Sequence, residues 1–236
     1  MSGKKTLIIG DVHGNWRAAA QTISEALEQD GPFDQVIQVG DMGFAYPGVQ
    51  PWDEDFDIPE KRWIDGNHEN FDMLFARDEQ NFGYDPYHVL WPKYWKQFLE
   101  EWRYIPRGTV EEGVLYIGGA KTPPWADRQR GINWWPEEDI SYEDEEKTLD
   151  AIESYDGDIH TVISHDCPTA FVMESVLQGE EYHDGNRKFL EHLRRRIEPE
   201  RWFFGHYHAK VTGNFEGCQW RCLHKVTSLD YVVVNF

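Results

Sequence analysis

Five times in this chain a strand-sized apolar run stops abruptly at an aspartate, asparagine or histidine: "TLIIGDVHGN", "QVIQVGDMG", "KRWIDGNHE", "TVISHD" and "RWFFGHYH". Most of these polar residues directly follow a glycine, which lets backbone approach closely or take turns closed to other residues. Helical patterns separate several of the runs. After "GDVHGN", Asn15 is placed to cap a helix in which Ala19, Ile23, Ala26 and Leu27 share one face. This strand–helix–strand rhythm predicts packed α/β layers. In an open α/β sheet, the loops beyond the carboxyl ends of the strands converge on one crevice. The five polar groups are therefore expected to meet.

Further along, "PKYWKQFLEEW" reads as helix, and "FDMLFARDEQ" as a helix after the third strand. "TVEEGVLYIGG" reads as a hairpin, while "KTPPWADRQRGINWWPEED" is too rich in Pro and Gly for regular structure. Ser141 with Asp144 predicts the opening of an acidic helix, and "NRKFLEHLRRRI" a later one. No repeat or linker divides the 236 residues, so one domain spanning 1–236 is expected.

No run is long enough to span a membrane and no secretory signal is visible, which makes cytoplasmic residence the expectation. Cys167, Cys218 and Cys222 form no zinc-ribbon spacing and read as reduced thiols, a Cys218–Cys222 bridge or site being the alternative. A net charge of −20 argues against long nucleic acid or an anionic membrane as partner. A small phosphorylated substrate remains compatible with it, because bound cations invert the local field.

The strand-end residues are Asp11 and His13, Asp41, Asn67 and His68, His165, and finally His206 and His208. Taken alone, the last pair has a bland explanation, one core and one solvated histidine. If β alternation continued through it, both rings would lean to one side. With the other groups, the residues make a mixed oxygen and nitrogen donor set without thiolates. Such a set suits Mn, Fe, Zn or Ni, and it is too large for one ion unless some members play supporting roles. Two ions sharing a carboxylate would use it.

The series "GDVHGN … GDMG … GNHE … H … GHYH" resembles the calcineurin-like metallophosphoesterase superfamily, over most of the chain from Asp11 to His208. The resemblance implies a four-layer α-β-β-α sandwich with two divalent metals, manganese first among them, at one edge. It implies that Asp11, His13, Asp41 and His208 hold one ion and that Asp41, Asn67, His165 and His206 hold the other. His68 would be the catalytic histidine that steadies the transition state or protonates the leaving oxygen. Two such ions about 3.5–4 Å apart acidify a bridging water and stabilise charge on phosphate oxygens.

One motif departs from the pattern. The second aspartate of Gly-Asp-x-x-Asp falls on Phe44, and the arginine of the protein-phosphatase branch falls on Ala45. His68 thus loses its usual carboxylate orienter, for which Glu69 or Asp72 are the available substitutes, and the bidentate arginine grip on phosphate must come from elsewhere. The loop "GGAKTPPWADRQRGINWWPEED" resembles the Arg-bearing loop of a subset of small calcineurin-like phosphoesterases. That likeness implies Lys121, Arg128 or Arg130 as a phosphate contact and Trp134 and Trp135 as a wall for a nucleobase or other flat group. The alternative is that the tryptophans plug the loop onto the core and the arginines pair with nearby acids. Arg194, Arg195 and Arg196 read as a solvated face or as partners of the acidic helices. His88, His160, His183, His192 and His224 match no motif.

A small nucleotide-like phosphodiester is the expected substrate. Phosphomonoesters or phosphoproteins, and a metal-binding scaffold without turnover, are the alternatives. Oligomeric state is not legible.

Overall fold

The computed structural model describes residues 3–46, 49, 56–75, 91–122, 128–173 and 184–236. Strands β1 (Lys5–Ile9), β2 (Gln35–Gln38), β3 (Glu60–Trp63) and β4 (Trp102–Tyr104) run parallel, with the last strand, β11 (Tyr231–Asn235), antiparallel beside β1. The second sheet is ordered β5 (Thr109–Glu111), β6 (Val114–Ile117), β7 (Thr161–Ser164), β8 (Arg201–Phe204), β10 (Cys218–Cys222) and β9 (Val211–Phe215). Its four central strands are parallel and the two edge strands antiparallel.

Side-chain parity builds the layers. Ile8, Ile37, Tyr116, Ile163 and Phe203 point between the sheets and form a shared core. Their neighbours Leu7, Ile9, Val36 and Trp63 point outward, onto Ala19, Ile23 and Ala26 of α1 (Trp16–Asp30) and Trp95 and Phe98 beyond. On the far side Leu115, Ile117, Val162 and Trp202 meet Phe171, Phe189, Leu190 and Leu193. The central strands are buried on both faces, which is why they read as continuous apolar runs. The result is the four-layer α-β-β-α sandwich.

Local signals place most helices. Asn15 Oδ1 accepts the Ala18 N–H at 3.2 Å at the start of α1. Two more helices follow, α2 (Phe71–Leu74) and α3 (Trp91–Glu101). Ser141 and Asp144 form a reciprocal capping box on α4 (Tyr142–Ser154). A short α5 (Thr169–Met173), which the sequence does not announce, precedes α6 (Gly185–Ile197), capped by Asp184. In α6, Arg194 binds Glu191 and Glu216, and Arg196 binds Glu153 of the acidic α4.

Two expectations need correction. Trp102 does not continue α3. It starts β4, where pairing with Lys61 and burial of its indole outweigh helix propensity. Of the helix expected over "FDMLFARDEQ", α2 occupies only Phe71–Leu74, and residues 76–80 lie outside the described set, as do His88 and His183. The cysteines are as expected: Cys167, Cys218 and Cys222 are free, buried thiols, the last two within β10. Among the described residues no helix is long and apolar enough to cross a membrane.

Candidate metal centre

The parallel strands β1, β2, β3, β7 and β8 deliver their carboxyl ends to one edge of the sandwich, where the two sheets exchange polar contacts. His206 N–H donates to the Asp11 carboxylate (3.2 Å), and His165 Nδ1 lies 2.8 Å from the Val39 carbonyl oxygen. The second contact selects a tautomer. Nδ1 donates its proton to Val39, and Nε2 is the ring atom turned to the site, 3.3 Å from Asp41 Oδ1.

Asp11, His13, Asp41 and His208 form one group, with one donor atom from each lying within 4.8 Å of the others. His13 Nε2 and His208 Nε2 are 2.9 Å apart, and His208 Nε2 is 3.0 Å from Asp11 Oδ2. Asn67, His165 and His206 form a second group: Asn67 Oδ1 lies 3.1 Å from His206 Nδ1 and 3.3 Å from His165 Nε2. Asp41 stands between them, with Oδ2 3.4 Å from His13 Nε2 and Oδ1 beside His165. Backbone N–H groups of Asn67 and His68 each donate to Asp41 Oδ1 at 2.8 Å.

His206 and His208 do not follow strand alternation, because β8 ends at Phe204. Their φ values are 66° and 49°, and those of His13 and Asp41 are 49° and 56°. Four donors thus occupy the left-handed region, at a cost of about 1–3 kcal/mol each, and the surrounding contacts impose that geometry. The glycines make room. A Cβ on Gly66 would stand 2.2 Å from Asp41 Oδ1, and one on Gly40 (φ 94°) 2.3 Å from His165 Nδ1.

Electrostatically the edge demands positive charge. Burial raises the Asp41 carboxyl, but the imidazoles of His165, His68 and His13 outweigh that and hold it well below the usual range. Burial likewise opposes ionisation of Asp11, and its bonds to His13 and His208 prevail. His165 is pulled down by burial, yet Asp41 pushes it up to about 10. Buried carboxylates that draw protons onto neighbouring imidazoles also draw divalent cations, which would displace those protons. With oxygen and imidazole donors and no thiolate, the residues fit borderline divalent metals.

The remaining site residues divide. His68 is half-buried at this edge, its ring edge-on to His13 (4.9 Å between centroids) and beside Tyr46 (5.5 Å). Burial lowers it to about 4. Neither expected carboxylate orients it. Glu69, fully buried, accepts the N–H groups of Met42 (2.8 Å) and Phe44 (2.6 Å), and Asp72 accepts Trp135 Nε1 (2.9 Å). Phe44 itself turns from the site into an aromatic cluster with Trp63, Trp95 and Phe98, at 4.8 Å from Trp95.

Arg128 is half-buried, donates to the Asn133 carbonyl at 2.9 Å, and its charge is felt by His68 and Tyr46. Arg130 and Lys121 are exposed; the Lys121 charge reaches Asp184. Trp135 is not a wall. It is 1% exposed and plugs the loop against Tyr46 and Asp72, whereas Trp134 is half-buried and donates Nε1 to Glu138 at 3.1 Å.

Three contributors escaped the sequence reading. Thr122 and Glu138 support Asn67, through bonds that join distant segments. Lys225, half-buried, lies close enough to influence His13, in a segment tied to the Asp11 carbonyl by the Val226 N–H (3.1 Å). It sits beyond the last motif, and no local pattern marks it.

The family described as calcineurin-like phosphoesterase matches residues 4–210. No curated protein matches the chain. Among solved structures, the protein TT1561 of Thermus thermophilus is similar in fold at 11% identity and a TM-score of 0.50, over 99% of both chains. The phosphopantetheinyl hydrolase of Mycobacterium tuberculosis is similar at 12% identity and a TM-score of 0.51, over 96% of this chain and 91% of that one.

Proposed function

This chain belongs to the calcineurin-like phosphoesterase family, and on that premise we propose that it hydrolyses a small nucleotide-like phosphodiester with two divalent cations, manganese first among them. The observation that carries the reading is the position of Asp41 between two donor groups. Asp11, His13, Asp41 and His208 would hold one cation, and Asp41, Asn67, His165 and His206 the other. When bound, the pair supplies Lewis acidity to phosphate oxygens and acidifies a water for in-line attack at phosphorus.

The chain's own residues do the rest. The Asn67 and His68 N–H groups fix the Asp41 carboxylate, and Val39 fixes the His165 tautomer. His68 offers its ring to the phosphate or to the leaving oxygen. Arg128 takes the place of the phosphate-gripping arginine that Ala45 lacks, with Trp134 on the same loop for a flat substituent and Arg130 as an outer contact. Residues 1–236 act as one domain, since both sheets lend donors to a single site. The acidic chain favours a small substrate over long nucleic acid. Cytoplasmic residence suits its three buried free thiols.

Comparing bis-p-nitrophenyl phosphate with p-nitrophenyl phosphate on the manganese-loaded protein tests the substrate class. Faster turnover of the diester is expected, and strong preference for the monoester would transfer the assignment to a phosphomonoesterase. Cyclic nucleotides, dinucleotides, phosphopeptides and sugar phosphates then narrow the choice. Inertness across that panel with two cations bound would favour a scaffold.

A further inference from the structure

Asn67 turns Oδ1 toward His165 and His206, but a carboxamide rotated by half a turn would offer an NH2 there instead, at little steric cost. What decides its sense is the partner of Nδ2, which donates to Thr122 Oγ1 at 3.0 Å. A hydroxyl can donate or accept. Thr122 sends its own proton to Glu138 Oε2 (2.9 Å), so its lone pairs face Asn67. Glu138 Oε1 accepts the Thr122 N–H (2.7 Å) and Trp134 Nε1 (3.1 Å). Glu138 is 1% exposed and Thr122 5%. Arg107 locks the same corner: Nη2 binds Asp65 Oδ2 (2.6 Å), two residues before Asn67, and also the Glu138 carbonyl (3.2 Å).

We propose that Glu138, acting through Thr122, is a positioning residue that sets the Asn67 carboxamide as an oxygen donor. Through Trp134 it links the loop around 128–138 to that donor. The inference rests on the two-cation reading above and goes beyond it, since nothing in the motifs assigns Thr122 or Glu138 a part.

Cation binding tests it without turnover. Chelator-stripped protein is titrated with Mn²⁺ by calorimetry and with Co²⁺ by visible absorption. Thr122→Val and Glu138→Gln should each weaken one of the two sites by about 10–100-fold and leave the other unchanged. Thr122→Ser, which keeps the hydroxyl, should bind like wild type. If wild type takes up no divalent cation, the two-cation reading and the relay fall together. If wild type takes up two, and Thr122→Val and Glu138→Gln do so with equal affinity, only the relay falls. Weak binding by Thr122→Ser would also overturn it, because packing would then be the cause. Should Thr122→Val fail to fold, Glu138→Gln decides, since it alters the acceptor with almost no change of volume.

Discussion

Glu69 Oε2 accepts the backbone N–H of Phe44 at 2.6 Å, so the segment after Asp41 hangs from a side chain beside Asn67 and His68. The same carboxylate accepts the Met42 N–H (2.8 Å) and faces that of Gly66 (3.4 Å). Burial, reinforced by the charge of Asp41, pushes the Glu69 carboxyl well above its ordinary range. Its task is therefore to satisfy backbone donors rather than to meet substrate. Glu69→Ala should leave those donors unpaired and cost about 1–3 kcal/mol each. Urea unfolding of the stripped protein measures it, and a loss below about 0.5 kcal/mol would contradict the role.

Phe44 stands where the family pattern has an aspartate, yet its ring is fully buried among Trp63, Trp95 and Phe98. Phe44→Asp should therefore not repair the site. It should lose at least the roughly 3–5 kcal/mol typical of emptying a buried aromatic position, plus the cost of an unpaired carboxyl. A variant that stayed folded and gained turnover would show that the loop can turn over.

Metal content and turnover should separate by residue. Asp41→Ala should lose both cations or bind them far more weakly, because Asp41 faces both donor groups. His206→Ala should retain one. His68→Ala should keep wild-type metal content and lose roughly 10²–10⁴-fold in kcat, the range for a positioned acid–base or transition-state hydrogen-bonding group. Elemental analysis beside steady-state kinetics checks all three, and full activity in every one would refute the hydrolase assignment.

Arg128 and Arg130 are two residues apart but differ in setting: Arg128 is half-buried with its charge on His68, and Arg130 is exposed. Arg128→Ala should raise KM by about tenfold or more, the worth of a charge-assisted hydrogen bond, and Arg130→Ala much less. The reverse order would move the phosphate contact outward.

Glu138 gives a signature in pH. Burial raises its carboxyl from 4.5 to about 7, opposed by the Thr122 bonds. A carboxyl raised by folding favours the native state below pH 4.5, and that contribution is lost as pH climbs through about 7. Gln cannot ionise. In stripped protein, Glu138→Gln should gain on wild type in melting temperature between about pH 5 and pH 8. A difference independent of pH would mean the carboxyl stays ionised throughout.

The layered fold was legible because its signals are local. Short strands such as Lys5–Ile9 and Thr161–Ser164 are buried on both faces almost throughout, and Asn15, Ser141 and Asp144 cap within three residues of themselves. Strand β4 was not legible, because "WRY" has no pattern of its own and becomes a strand only against residues 61–63.

The same division runs through the site. The sequence by itself determined which donor types occur, in what order, and that each ends a strand, since oxygen and imidazole chemistry and strand termination are properties of short segments. Only the tertiary structure decided that Phe44 leaves the edge for the core, that Glu69 serves backbone, that Trp135 plugs while Trp134 reaches Glu138, and that Thr122 meets Asn67. Asn67 and Thr122 are 55 residues apart in the chain, and Trp135 and Asp72 are 63 apart. Such contacts depend on which surfaces the packed sheets bring together, and no local propensity encodes them.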